Sequence, residues 1–126
     1  MTDTHPLAVV ETVVLVGIGG FAGSNLRYFV AGVLPGLPGT LLVNAAGSFA
    51  LGVLVYEAHR IGVLADETSL AASTGFLSSF TTYSTFALQT ARAAEWALLN
   101  VGANYALGFA GVLAARAAVD AVGGGD

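Results

Sequence analysis

Between Ser78 and Phe86 the sequence reads SSFTTYSTF, six Ser or Thr hydroxyls and three aromatic rings in nine residues of an otherwise apolar run. Ser and Thr side chains can bond back to carbonyls of the preceding turn, and β-branched Thr is a mediocre helix former, so this spacing predicts an interrupted or distorted helix. A break of that kind frees backbone carbonyls, hard oxygen donors that could ligate a cation such as Na⁺. Tyr83 and Phe86, three apart, point together if the local turn is helical. Aromatic edges carry partial positive charge and can face an anion without trapping it. Packing in a helix bundle is the commoner use of any single ring.

Upstream, GTLLVNAAGSFALG sets Thr40, Asn44, Gly47 and Ser48 at spacings of three and four, on one helical face. The Asn44 amide offers two N–H donors and one acceptor, enough to glue helices together or to hold an anion stripped of water. Asn100 and Asn104 repeat the i,i+4 pattern and Gly108 continues it. Polar stripes on several helices favour a shared lined pathway over isolated glue. Gly19 and Gly23, at GxxxG spacing, allow close backbone approach. Ser24, Asn25 and Arg27 come near the end of that helix, where position alone favours a snorkelling Arg over one held by a partner or water.

The elements that must carry these residues can be read from composition. Of 126 residues, 56% are hydrophobic and 10% charged, and mean hydropathy is +0.79, values of a membrane protein rather than a soluble domain. Four apolar stretches approach the length of a bilayer-spanning helix, about 7–33, 39–56, 70–90 and 95–118, in a single four-helix domain covering 1–126. LPGLPG makes the first turn, EAHRIGVLADE the second and ARAAE the third. The head MTDTHP lacks a basic n-region, so the first stretch is expected to be retained as a span, and the tail GGGD reads as disordered. With no Cys and two distant His, thiolate metal sites and thiol catalysis are excluded. Absent Lys and a net charge of −4 argue against nucleic acid. Arg27 and Arg92 lie on one side of the four-span chain and Arg60 and Arg116 on the other. This balance gives either dual insertion, or too few charges for the positive-inside rule to speak. Four short helices hardly enclose a polar path alone, so a dimer is the expected unit.

Together, GGFAGSNLRY, GTLLVNAAGSFALG and GFLSSFTTYSTF, in that order on three consecutive spans, resemble the Fluc fluoride channel family, also called CrcB. The resemblance covers the first three helices closely and the fourth by hydropathy and polar spacing. It implies an all-α membrane protein of four transmembrane helices with an interrupted third, forming an antiparallel dual-topology dimer, homodimer or heterodimer with a paralogue, multi-pass in the cell membrane. Two fluoride pores would be lined from both subunits around a central structural Na⁺. By the same resemblance Asn44 matches the pore asparagine, Tyr83 and Phe86 the aromatic box, and Ser84 and Thr85 hydroxyl positions of the same motif. The backbone carbonyls of Ser78 and Thr81 match the Na⁺ ligands, Arg27 the vestibule arginine, and Asn104 a polar fourth-helix pore residue. Thr40 joins this set from the stripe of Asn44. Four positions depart from the family pattern. Ser78 and Ser79 replace a Gly-Gly pair, where a glycine-only conformation would be strained. Tyr83 replaces Phe, adding a phenol that either binds fluoride or is satisfied by a neighbour, and Gln89 stands where Glu is common.

The expected activity is therefore passive, fluoride-selective efflux with no covalent chemistry and no enzyme. Amide hydrogens, hydroxyls and ring edges replace the water of a strongly hydrated anion without holding it too firmly. Two rivals remain. A small multidrug-type, proton-coupled exporter needs an embedded carboxylate, for which Glu11 is the candidate. A non-conducting partner subunit would use the same polar stripes as glue.

Overall fold

A computed structural model describes residues 5–123. The head as far as Thr4 and the tail after Gly123, including the part of GGGD read as disordered, lie outside the described residues. Every regular element among the described residues is helical. Helix α1 (Pro6–Val33) starts cleanly because Pro6 brings no N–H to satisfy and the Leu7 N–H donates to His5 Nδ1 at 3.1 Å. Gly36, at φ 79°, turns the chain into α2 (Leu37–Arg60). That helix runs past Tyr56, where the apolar stretch ends. His59 and Arg60 occupy its last turn, where cations suit the helix dipole. Beyond Gly62, at φ 72°, Glu57 accepts the Val63 and Leu64 N–H groups at 2.6 and 3.0 Å and folds the connection back onto the helix end.

The third stretch is built in pieces. It opens as α3 (Asp66–Leu70), widens into a π-helical segment (Ala71–Leu77), in which the Ser78 N–H reaches Ser73 O, and closes with α4 (Ser78–Phe80). Thr81 is extended, with φ −81° and ψ 164°, and helical geometry resumes in α5 (Ser84–Arg92). A 3-10 turn (Ala94–Trp96) leads into α6 (Ala97–Val122). Three helices are long and apolar enough to cross a membrane: Pro6–Val33, Leu37–Arg60 and Ala94–Val122. No piece of the third stretch reaches that length alone.

Packing divides the elements into two pairs. Helix α1 lies on the π-helical segment and α4, α2 lies on α6, and α5 leans on both α2 and α6. The first pairing explains Gly19 and Gly23 of α1. A Cβ at Gly19 would sit 2.6 Å from Ala71 O, and one at Gly23 would collide with Phe76 O. Gly75 answers from the other side, where a Cβ would sit 2.6 Å from Val16 O. The GxxxG of α1 thus serves contact within the chain, backbone against backbone. On the second pair Gly52 admits the Ala115 methyl, and the Arg60 guanidinium meets Asp120 at 2.9 Å where both helices end.

Little is buried: Val43, Leu77, Phe80, Ala115 and Val119 are the buried hydrophobics, while Leu98 is 91% and Phe21 74% exposed. In water that surface would be untenable, and on lipid it costs nothing. Gly75→Ala is expected to lower the stability of the detergent-solubilised protein by about 1–3 kcal/mol, the usual cost of overpacking. Gly32→Ala, with nothing within 4 Å of its Cβ, should not. Thermal unfolding of the two variants checks this.

Candidate functional site

Asn44 sits about two turns into α2 and reaches the break in the third stretch with both ends of its amide. Its Nδ2 donates to Thr82 O at 2.9 Å, and its Oδ1 accepts the Thr82 N–H at 2.8 Å. The residue that has left helical geometry is thereby satisfied as a neighbouring strand would satisfy it. The second Nδ2 hydrogen stays available. Thr82 also caps α5, its Oγ1 accepting the Thr85 N–H at 3.1 Å in the first turn of that helix. Gly47, one turn along, leaves room for the Thr81 methyl.

These bonds decide which carbonyls are left over. In an unbroken helix Thr82 would donate to Ser78 O and Thr85 to Thr81 O. Here the first N–H is held by Asn44 and the second by Thr82 Oγ1, so both carbonyls lack their helical donors. Ser79 O is different: Arg27 Nε donates to it at 2.9 Å. Arg27 is half-buried and lies well before the end of α1, so the snorkelling expectation is corrected. The serine pair is also unstrained. Ser78 is right-handed helical, with φ −65° and ψ −26°, and no described non-glycine residue has positive φ. The hydroxyls bond backwards: Ser73 to Ser69 O at 2.7 Å, Thr81 to Leu77 O at 2.9 Å, and Ser78 to Thr74 O.

Asn44, Tyr83, Phe86 and Asn104 line one open cavity of about 310 Å³, together with Ser48, Tyr105, Gly108, Phe109 and Val112. None of these carries a formal charge. The Tyr83 and Phe86 rings lie 6.0 Å apart and tilted by 46°, and Tyr83 is 77% exposed. Thr40 and Thr85 fall elsewhere, in a neighbouring cavity of about 70 Å³ that they share with Arg27, Thr82 and Gln89. Gln89 Oε1 is buried without a partner. Ser84 is exposed and lines neither cavity. Tyr105 and Phe109, 6.3 Å apart on α6, were legible as an i,i+4 aromatic pair beside the Asn104 and Gly108 stripe. Thr82 carried no separate signal, because its role is set by the backbone it presents. Glu11, the carboxylate an exporter would need, is exposed on α1 and lines neither cavity, and Glu57 is engaged with its loop.

Residues 14–116 match the model of the family described as CrcB-like protein, Camphor Resistance (CrcB). The chain belongs to the CrcB-like family. Among similar CrcB-like proteins, one named fluoride-specific ion channel FluC 1, from Haloarcula marismortui, is 69% identical over 99% of this chain and 98% of its own length. Another FluC 1, from Natronomonas pharaonis, is 56% identical over 84% of this chain and 92% of the relative. A protein named FluC 2, from Halobacterium salinarum, is 55% identical over 82% of each. All three carry the name of an ion channel rather than of an enzyme, in agreement with the expectation of no catalysis.

The Asn44 clamp is separable by chemistry. Asn44→Asp keeps an acceptor for the Thr82 N–H, whereas Asn44→Leu removes it and leaves a part-buried donor unpaired, at a cost of about 1 kcal/mol. Hydrogen exchange at the Thr82 amide should stay slow in the first variant and accelerate in the second.

Proposed function

We propose that the chain is a fluoride-selective channel of the cell membrane, through which cytoplasmic fluoride leaves passively. The observation that carries this reading is the uncharged cavity where Asn44, Tyr83 and Phe86 converge, in a chain whose relatives are named fluoride-specific channels. Fluoride must give up water for donors strong enough to admit it and weak enough to release it. The remaining Nδ2 hydrogen of Asn44 and the Tyr83 and Phe86 edges meet that requirement. Arg27, held on Ser79 O and lining the smaller cavity with Thr40 and Thr85, supplies positive potential beside the path rather than within it.

The cavity is open on one side, which supports a pore completed by a second copy in an antiparallel dimer. Its four spans are the three long helices and the broken third stretch. Either a homodimer or a heterodimer with a paralogue would close it. The Ser78 and Thr81 carbonyls, without helical donors, fit a hard cation, and Na⁺ bound there would supply fixed positive charge to a broken helix. An inside-negative potential drives the anion outward at about 2.3 kcal/mol per 100 mV.

Liposomes loaded with fluoride and containing the purified chain decide the matter with a fluoride electrode. The chain alone is expected to release fluoride and not chloride, and Asn44→Leu to slow release by about tenfold or more, the worth of one bond to a charged group. Release that appears only with a paralogue makes the unit a heterodimer. Equal chloride release would sink the assignment.

A further inference from the structure

Asn104 is among the residues that line the cavity, and a relay from outside it fixes the orientation of its amide. The Thr90 hydroxyl donates to Phe86 O at 2.7 Å, so its oxygen is left to accept, and Asn100 Nδ2 donates to it at 2.8 Å. That orients the buried Asn100 with Oδ1 toward Asn104. Asn104 Nδ2 then donates to Asn100 Oδ1 at 3.1 Å and to Asn100 O at 2.8 Å. Both acceptors would be lost if the amide flipped, so the orientation is chemically determined. Asn104 therefore keeps its N–H groups for Asn100, and its Oδ1 is buried with no partner. A bare acceptor repels an anion and calls for a donor.

Tyr83, which lines the same cavity, brings a donor. The Tyr83 hydroxyl has no hydrogen-bond partner among the described residues, and its ring is 77% exposed. Tyr105 also brings a phenol, but it comes directly after Asn104 on α6, and adjacent helical residues do not face each other. Tyr83 comes from a different element, next to a backbone that Asn44 holds in place. We propose that Asn104 is not a fluoride donor but the acceptor for the Tyr83 phenol, a positioning residue that withdraws that O–H from the anion path and leaves the ring edge facing it. The consequence for fluoride rests on the channel assignment, whereas the bond itself does not. It answers the question that the tyrosine raises: a free phenol would grip fluoride, and a phenol bound to Asn104 does not.

Two double-mutant cycles on the full chain test the pair. In fluoride release from liposomes, Asn104→Ala is expected to slow release by about tenfold in the parent, because it frees the phenol to hold the anion. In the Tyr83→Phe background the same substitution should change release by less than about twofold. Equal slowing in both backgrounds overturns the proposal. Thr90→Val, which breaks the relay outside the cavity, replaces Asn104→Ala if that variant does not fold. The second cycle measures thermal unfolding in detergent, where the two substitutions should be clearly non-additive, and additivity overturns the bond. If no variant and no parent passes fluoride, the channel assignment fails while the unfolding cycle still decides the pair.

Discussion

The two hydrogen bonds between the Asn44 amide and the Thr82 backbone are the constraint on which the site depends. A chain that stops being helical in an apolar medium must satisfy the peptide groups it has exposed, and lipid offers nothing to do so. A single primary amide, with a donor and an acceptor side by side, matches the N–H and C=O that Thr82 presents at the break. Because the amide belongs to α2, it also joins the broken stretch to the pair formed by α2 and α6. Without it the break would be two orphaned groups in a weakly buried chain.

Around that clamp the polar atoms sort themselves by sign. Donors face the open cavity at Asn44, while the acceptors released by the break, Ser78 O and Thr81 O, lie along the backbone of the third stretch. Arg27 takes up Ser79 O, between them in sequence, so one released carbonyl is neutralised by the protein and its two companions are not. Asn104 shows that residue type alone does not tell donor from acceptor. The same side chain as Asn44, on a different helix, spends its amide N–H on Asn100 and leaves its oxygen without a partner. Formal charge stays out of the larger cavity, which suits an environment where a buried ion pair or lone cation is costly.

Much of this was legible in the residues. Hydropathy marked the long helices, and the spacing of Thr40, Asn44, Gly47 and Ser48 marked a face that meets the third stretch along its length. The resemblance named Tyr83 and Phe86, which do share a cavity with Asn44. What was not legible has physical reasons. Hydropathy could not see that α2 continues through Glu57 to Arg60, because a helix end in the interface tolerates charge. Arg27 read as a helix-end residue because its partner is a carbonyl more than 50 positions away, invisible to local pattern. Thr40 and Asn44 share a face yet open onto different cavities. Ser84, grouped with its neighbours by composition, faces outward.

The π-helical segment has a consequence for how the chain is phased. Bonding to the fifth residue back places more residues in each turn than an α-helix does, so every position after it is rotated about the axis relative to a regular continuation. Gly75 must face α1, where it touches Val16, and Thr81, soon after, must face Gly47 of α2. The wide turn acts as an angular offset between those two demands. A chain so thin in buried side chains thus sets its geometry by rotation of the backbone, and adding or removing one residue between Ala71 and Leu77 would turn the whole polar break away from the amide that receives it.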